Sequence, residues 1–456
     1  MKPAVLEFPY QSDSVRLFEL LADRPWSVFL DSGQPQGEQG RYDILTAAPR
    51  KTLVTRGRVT GIRDGESLRL SREDPFALLH EALGPEREGL EEIPFSGGAI
   101  GYFGYDLARR LERLPPVAED DTGLPEMAVA VYDWALVVDH LHHRSWLAGE
   151  DKVRLQARME QLLPRRATAP KGVNSFHTSG PILCNISHPR HIAGIKRIQR
   201  YIHEGDCYQV NFARRFSVES QGDPWIAYRR LRQLNPAPYG AYLNTPGCQV
   251  LSSSPERFLH SHAGMVETRP IKGTCPRGLN PVQDLRLAGV LQNSEKDRAE
   301  NLMIVDLMRN DLGKVCVPGS IEVPELFKLE SFIRVHHLVS TIRGRLAADQ
   351  TPVTLLRACF PGGSITGAPK LRAMQIIEEL EPHRRGVYCG AIGYIGFDGA
   401  MDTNIAIRTL QCSRGMMHLW AGGGIVADSD PEEEYQETYH KAAALLDLLQ
   451  QMRSRK

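Results

Sequence analysis

The sequence predicts an α/β fold of the α+β type, in which antiparallel β-sheets are layered as a sandwich and flanked by helices. Two observations predict it. Residues 1–160 contain short apolar runs bounded by turn-forming residues, such as Trp26–Leu30 and Met127–Val138. Runs of strands followed by runs of helices are typical of sheets with segregated helices. Beyond residue 188, strand-like alternation gives way to helical periodicity over 284–310, 352–359, 369–380 and 431–452.

Composition narrows the class of protein. At 456 residues the chain could hold two or three domains. Lys+Arg and Asp+Glu are both 55, so the chain lacks the basic surplus of a general nucleic-acid binder. The eight cysteines are scattered without a Cys-x-x-Cys pair, which disfavours zinc and disulfide frameworks. Because no apolar stretch approaches about 18 residues, we expect a cytoplasmic protein that does not associate with membranes.

A polar, proline-bearing run over 164–180 predicts a boundary between two regions. We expect an N-terminal α/β region at 1–165 and a catalytic region at 185–456. In the N-terminal region, the Gly-rich segment 95–105 favours a buried strand over a phosphate loop, because no helix signal follows it. In the catalytic region, Cys207–Arg215 alternates as a strand.

Lys272 is the first candidate for chemistry. It follows an apolar residue and precedes Gly273 at the predicted end of a strand, in Glu267–Thr274. An amine among apolar neighbours loses hydration, which favours its neutral, nucleophilic form. The alternative is a solvated surface lysine.

Two acidic helices are candidates for metal binding. Glu300 precedes an apolar helical stretch, and Glu437 lies on the edge of the core stripe of the helix at 431–452. Mg²⁺ commonly takes one or two carboxylates, waters and an anionic substrate, so Glu300 and Glu437 could hold it together. A salt-bridged helix surface is the alternative interpretation.

Other segments suit an anionic substrate. The loop 360–370 is rich in glycine and opens a helix, so its amides could receive a carboxylate, although it lacks the ending of an ATP-binding P-loop. Arg408 alternates in a strand and could point inward as a carboxylate fork. Glu256 and the His336-His337 doublet are candidates for proton transfer.

Five ordered blocks of sequence together resemble the chorismate-utilising enzyme family. The match spans roughly 190–450, and residues 1–165 resemble the family more loosely. The blocks are Ser254–Phe258, Arg269–Thr274, Ala299–Asp311, Gly363–Lys370 and Ala421–Asp428.

Two positions separate the branches of that family. Anthranilate synthases usually carry Ala where this chain has Lys272, and isochorismate and salicylate synthases usually carry a water-activating Lys where it has Gln209. The resemblance therefore implies the branch that adds ammonia to C4 of chorismate, in 4-aminobenzoate and folate synthesis. A non-catalytic, amino-acid-sensing scaffold is the rival interpretation from another class of protein.

The resemblance also implies roles for individual residues. Lys272 would add to C2 of chorismate while Glu256 protonates the leaving C4 hydroxyl, and His337 would be a further catalytic group. Glu300 and Glu437, with Glu434 acting through water, would hold Mg²⁺. The implied substrate-binding residues are Arg408, Tyr394, Lys441, Gly422, Gly423, Gly424, Thr366, Gly367 and Gln209.

Two partners follow from the same resemblance. No cysteine lies in a Gly-x-Cys-x-Gly elbow, so we expect a separate glutamine amidotransferase subunit (component II) to supply ammonia. The family's N-terminal region often forms a pocket for L-tryptophan. The matching positions are Ser32, Gln39, Gly40, Arg41, Tyr42, Pro238, Tyr239 and Gly240.

Overall fold

The fold is a sandwich of two large antiparallel β-sheets with helices packed on the outside. The structure, a computed structural model, describes residues 2–33, 40–163, 175–332 and 335–454. The helices in these ranges are α1 (Val15–Phe18), α2 (Pro75–Leu83), α3 (Lys152–Leu162), α4 (His188–His203), α5 (Pro224–Leu234), α6 (Pro281–Gln292), α7 (Glu295–Gly313), α8 (Pro352–Cys359), α9 (Lys370–Leu380) and α10 (Pro431–Gln451), with 3₁₀ turns at Tyr105–Arg110 and Gly363–Ile365.

The strands divide between the two sheets, each with twelve members among the described residues. The first sheet has the order β1-β10-β9-β3-β2-β13-β14-β23-β24-β12-β11, with β20 paired to β12. Its strands are β1 (Ala4–Phe8), β2 (Ser27–Asp31), β3 (Tyr42–Thr46), β9 (Trp134–Asp139), β10 (Arg144–Gly149), β11 (Phe176–Cys184), β12 (Gln209–Gly222), β13 (Tyr239–Thr245), β14 (Cys248–Ser254), β20 (Gly367–Ala368), β23 (Thr409–Ser413) and β24 (Met416–Ile425).

The second sheet has the order β17-β19-β16-β15-β22-β21-β7-β8-β4-β5-β6, with β18 paired to β19. Together the two sheets confirm the predicted layered α+β class. The strands of the second sheet are β4 (Lys51–Arg56), β5 (Val59–Asp64), β6 (Ser67–Ser71), β7 (Gly98–Phe103), β8 (Met127–Tyr132), β15 (Arg257–His262), β16 (Met265–Thr268), β17 (Ile271–Pro276), β18 (Glu322–Ser331), β19 (Val335–Arg345), β21 (Ala391–Gly396) and β22 (Met401–Ile405).

Both sheets continue across the boundary that the sequence suggests. In the first sheet β2 pairs with β13, placing Leu30 opposite Ala241. In the second sheet β7 pairs with β21, placing Ile100 opposite Tyr394. The division into regions at 1–165 and 185–456 stays a prediction, although strands from both regions share the same hydrogen-bonded ladders.

The core lies between the sheets and beneath the helices. Val28 and Val250 from the first sheet pack with Tyr102 and Tyr132 from the second, and all four are at most 1% exposed. Helices α2, α7 and α8 cover the second sheet, and α5 and α10 cover the first. Burying such large apolar side chains removes them from water and is the main stabilising contribution to the sandwich.

Most predicted helices are confirmed, and the differences have local causes. The predicted helix at 284–310 is two helices, because the Ser294 side chain accepts a hydrogen bond from the Asp297 amide and caps a new start. The sequence analysis missed α2, which Asp74 caps by accepting from the Phe76 amide. Residues 95–105 do contain a fully buried strand, β7.

The predicted linker meets the structure only in part. Residues 164–174 of the predicted linker lie outside the described residues, and the remainder is wrong as a linker because β11 begins at Phe176. All eight cysteines are free thiols, as the scattered spacing predicts. Among the described helices, none combines the length and the apolar character that a membrane crossing needs.

Candidate active site

The site forms where β12, β17 and β24 of the two sheets meet helices α7 and α10. In β24, Gly422, Gly423 and Gly424 pair with Ala213, Phe212 and Asn211 of β12. Side chains from the other elements of the site pack against the backbone of these three glycines. A Cβ built on Gly424 would lie 2.7 Å from Gln209 Nε2 and 3.3 Å from Lys272 Nζ. The glycines therefore leave room that any side chain would fill.

Lys272 points into this space from β17. Gly273, which follows it at φ +82°, packs so closely on α7 that a Cβ there would lie 3.0 Å from the Asp297 Cβ. Only glycine fits both that angle and that approach. The Lys272 ammonium forms no hydrogen bond or ion pair within the described residues, but it acts electrostatically on Glu256, Glu300 and Glu437. The lysine is half-buried and belongs to the site, not to the solvated surface.

Gln209 lies beside the lysine at the start of β12. Its side chain is fully buried, and neither its amide oxygen nor its amide nitrogen has a hydrogen-bond partner among the described residues. Buried amides are nearly always paired. A polar group of a bound substrate or a water would satisfy this one, so the role of Gln209 in substrate binding stays a prediction that this geometry allows.

Two carboxylates lie over Gly423, and a third, that of Glu300, interacts electrostatically with one of them. A Cβ on this glycine would lie 2.8 Å from Glu434 Oε2 and 3.7 Å from Glu437 Oε2. Burial raises the pKa of Glu434 to about 7, and the charge of Glu437 adds to that effect. Burial also raises the pKa of Glu300 on α7. Burial opposes ionisation of Glu437 as well, but the Lys441 ammonium, 2.6 Å away, brings its pKa below the usual value.

These carboxylates suit a hard divalent cation. Glu434 Oε1 accepts from the Ser429 hydroxyl at 2.7 Å, whereas its Oε2 is buried and has no partner among the described residues. Glu300 and Glu437 stand close enough to repel one another. The described residues contain no group of three or more His, Cys, Asp or Glu placed so that together they could hold a metal ion. Mg²⁺ is commonly bound by one or two carboxylates and completed by water and an anionic substrate, so a pair of these carboxylates fits it.

Glu256 is a buried acid facing the lysine. It is 6% exposed at the turn between β14 and β15, with the Ser364 hydroxyl and the Ile271 amide as hydrogen-bond partners. Burial raises the pKa of Glu256, against the effects of Ser364 and Lys272. A carboxyl group whose pKa is raised keeps its proton to a higher pH, which suits a general acid.

Arg408 approaches Glu256 from the segment that joins β22 to β23. It is a non-glycine residue at φ +50°, where its carbonyl accepts a hydrogen bond from the Ser253 amide. Burial lowers the pKa of Arg408, and Glu256 opposes the effect. The guanidinium makes no hydrogen bond or ion pair with any residue that the structure describes. A half-buried, unpaired fork of this kind fits a substrate carboxylate.

His337 lies on β19 next to the strand of Lys272. Its ring is buried, and Nδ1 lies 2.8 Å from the Thr274 hydroxyl. Burial lowers the pKa of His337 to about 4, with the Arg408 charge acting in the same direction. The imidazole is therefore neutral at physiological pH, with the Thr274 hydroxyl and the Gly273 backbone as hydrogen-bond partners.

The Gly-rich loop 360–370 closes the site from the side of β12. Thr366 is fully buried, donates to the Gly362 carbonyl at 2.9 Å, and accepts from the Asn211 amide. Gly367 pairs with Val210, and a Cβ on it would lie 2.1 Å from the Gln209 carbonyl oxygen. Lys441 donates to the Gly422 carbonyl at 3.1 Å. These residues adjoin the site as the resemblance implies.

Tyr394 is the exception among the implied substrate-binding residues. It lies on β21, makes an edge contact with Phe95, and lines a separate cavity between the two sheets. The assignment of Tyr394 to the chorismate site is corrected on this geometry. Alternation along β21 turns its ring towards the first sheet, into the core cluster that contains Tyr102 and Tyr132.

That cavity coincides with the predicted tryptophan pocket. It encloses about 420 Å³ between the sheets. Ser32 lies just outside the lining, where its hydroxyl donates to Asp43 Oδ1 at 2.7 Å. Gln39 lies outside the described residues. The predicted positions that line the cavity are Gly40, Arg41, Tyr42, Pro238, Tyr239 and Gly240.

Sequence reasoning missed two side chains that complete the site. Ser364 contacts Glu256, and Lys296 lies 3.9 Å from Glu434 Oε1. Ser364 sits inside a motif block between glycines, which could have marked it. Lys296 has no local signal, because only packing of α7 beside α10 brings it to the carboxylate.

Comparison with known proteins identifies the family of this chain. A model of the chorismate binding enzyme family matches residues 28–447. The chain is 48% identical to aminodeoxychorismate synthase component 1 of Klebsiella aerogenes, over 99% of this chain and 100% of that one. It is 46% identical to the protein of the same name from Escherichia coli strain K12, over 99% of both.

A solved structure agrees with these matches. Anthranilate synthase component I from Streptococcus pneumoniae superposes with a TM-score of 0.79 at 33% identity, covering 90% of this chain and 92% of that one. The family model and the relatives extend over nearly the whole sequence. The chain belongs to the chorismate binding enzyme family.

Proposed function

We propose that this chain is an aminodeoxychorismate synthase component 1, which converts chorismate and ammonia to 4-amino-4-deoxychorismate. The observation that carries the proposal is the position of Lys272, whose unpaired Nζ faces Glu256 across a glycine-floored space. Two full-length relatives that bear this name support it. We place the reaction in 4-aminobenzoate and folate synthesis, in the cytoplasm.

The geometry suits a reaction in two displacements. The amine of Lys272 forms a bond to C2 of chorismate, the ring double bonds shift towards C4, and the C4–O bond breaks. Glu256 gives its proton to the departing hydroxyl, which leaves as water. Ammonia then adds at C4, the double bonds shift back, and the bond from C2 to the Lys272 nitrogen breaks. The added nitrogen loses a proton, which restores the protonated acid.

The remaining residues bind and orient the dianion. Arg408 holds one carboxylate by paired hydrogen bonds, and the amides of Gly422–Gly424 lie beneath the ring. The neutral ring of His337 supplies a hydrogen bond. Glu300 and Glu437, with Glu434 acting through water, would hold Mg²⁺, and the bound ion would supply neutralisation of the charge on the ring carboxylate.

Ammonia comes from a separate glutamine amidotransferase subunit. The name component 1 on the relatives implies a second component. With ammonium salt the purified chain should aminate chorismate alone, whereas glutamine without the partner should not support turnover. Glutamine-dependent activity of the purified chain would contradict the assignment of a separate partner.

The cavity between the sheets is proposed to bind L-tryptophan. Its volume of about 420 Å³ and its aromatic lining by Tyr42, Tyr239 and Tyr394 support a ligand with a large ring. Calorimetric titration of ligand-free chain tests this.

Anthranilate synthase is the second candidate, favoured by the solved relative at 33% identity. Incubation of the purified chain with chorismate, Mg²⁺ and ammonium chloride, with products resolved by mass and fluorescence, separates the two. We expect a product that retains the enolpyruvyl group. Fluorescent anthranilate with release of pyruvate would overturn the proposal in favour of the second candidate.

A further inference from the structure

Asn301 is an amide at a position where helix α7 otherwise buries apolar side chains. It begins the buried stripe that continues with Ile304, Val305 and Met308, and it is fully buried. Burying an amide costs free energy unless it is hydrogen-bonded. A leucine here would pack without that cost, so the amide contributes something other than burial.

The amide connects α7 to β19. The Asn301 Nδ2 donates to the Leu338 carbonyl at 3.3 Å, and its Oδ1 accepts from the Ser340 hydroxyl at 2.5 Å. Leu338 directly follows His337 in β19. One side chain on the helix therefore bonds the strand on both sides of Val339.

Ser340 extends the connection to the strand of Lys272. It is fully buried, and its backbone amide donates to the Pro270 carbonyl at 3.3 Å, two residues before Lys272. Its hydroxyl oxygen also accepts from the Phe327 amide at 3.1 Å, which ties in β18. Ser340 thus stands between the element that carries the nucleophile and the helix that carries Glu300.

We infer that Asn301 and Ser340 are a positioning pair that sets the placement of Lys272 and His337 relative to Glu300 during the amination of chorismate. The inference rests on the proposed function. Glu300 is the chain neighbour of Asn301, so a shift of α7 against β19 displaces the carboxylate relative to the amine. Misplacement of reacting groups by about 1 Å can cost about 10²-fold in rate. Neither residue of the pair needs to contact the substrate.

The test is a double-mutant cycle of Ser340→Ala and Asn301→Leu. We expect each single variant to lower kcat about 10- to 100-fold, with KM for chorismate changed less than about twofold. The rate at which chorismate becomes bonded to Lys272, followed by mass spectrometry after quenching, should fall by the same factor. Because the two act as one unit, the double variant should be little worse than either single one.

A neighbouring residue provides a matched control. Thr341 is 2% exposed, and its hydroxyl donates to Glu325 on the outer strand β18, not to α7. Thr341→Val removes one buried hydroxyl from the same strand and should leave kcat and adduct formation unchanged. Ser340→Thr, which keeps the hydroxyl, should retain most of the wild-type kcat. It also replaces Ser340→Ala as the test variant if Ser340→Ala does not fold.

The outcomes are distinct. Wild-type kcat and adduct rate in folded Ser340→Ala, with a melting temperature lowered no more than in Thr341→Val, would reduce the pair to a structural role and overturn the inference. Additive losses in the double variant, or a Ser340→Thr variant as slow as Ser340→Ala, would overturn it too. A wild-type chain that yields no aminated product would instead refute the proposed function, and the inference with it.

Discussion

The chorismate site and the cavity between the sheets differ in whether their charged side chains have partners within the protein. In the cavity, Arg41 pairs with Asp139 at 2.5 Å, Arg257 pairs with Asp402 at 2.9 Å, and Asp31 accepts from Arg232 at 2.6 Å. In the chorismate site, Lys272, Arg408 and one oxygen of Glu434 have no hydrogen-bond or ion-pair partner within the described part of the chain.

The difference reflects what each place is suited to bind. Leaving a charge without a partner in a partly buried place costs stability unless a ligand completes it. The proposed dianionic substrate and Mg²⁺ would supply charges opposite to those of Lys272, Arg408 and the free oxygen of Glu434, which accounts for these three groups having no partner of their own. The cavity satisfies its charges internally and offers a ligand mainly shape and aromatic surface.

The largest effect should come from removing the unpaired amine. Lys272→Ala is expected to lower the rate of amination by at least about 10⁴-fold. No chorismate adduct should remain on the protein by mass spectrometry. A chorismate adduct formed in unchanged yield in this variant would show that another group is the nucleophile. The unpaired amine of Lys272 would then no longer distinguish the chorismate site from the cavity.

The next largest effect should come from Glu256→Gln, which we expect to lower kcat by on the order of 10³-fold. Glutamine keeps the size of the side chain but has no acidic proton. Burial raises the pKa of Glu256, so its acid form persists to a higher pH and is lost as pH rises through that pKa. The wild-type kcat should therefore fall on the alkaline side. Stopped-flow rates across pH should show that this fall is absent in Glu256→Gln.

A pair of arginine variants tests the comparison directly. Arg408→Met should raise KM for chorismate about 10- to 100-fold, because it removes charge-assisted hydrogen bonds to a carboxylate. Arg41→Met, which breaks a pair that is already satisfied by Asp139, should leave KM and kcat within about twofold. Equal losses in steady-state assays of both variants would mean that paired and unpaired arginines are not functionally distinct.

The smallest effect should come from filling the cavity. Free L-tryptophan at about 100 times its Kd should stabilise the fold by about 2.7 kcal/mol, which scanning calorimetry would record as a melting temperature a few degrees higher. Ala241→Trp, which places a large ring from β13 into the cavity lining, should abolish that shift. A tryptophan-dependent shift that survives in Ala241→Trp would locate the ligand elsewhere.

Local patterns were enough to predict much of this molecule. The helical stripes predicted α8 to α10, and the Gly-rich run at 95–105 predicted a buried strand. The five motif blocks predicted the family, and with it residues that meet around Gly423 and Gly424. These predictions from short stretches of sequence succeed because helix capping, hydrophobic periodicity and the backbone requirements of glycine act over a few neighbouring residues.

Tertiary packing alone decided the rest. Tyr394 lies in the wrong cavity for the role that the resemblance implied, because strand alternation and sheet stacking, not its motif, determine which layer its ring enters. Lys296 reaches Glu434 only because α7 and α10 converge, and Asn301 meets Ser340 across 39 residues of chain. The physical reason is that hydrogen bonds and ion pairs between distant segments depend on how layers stack, which no short window of sequence contains.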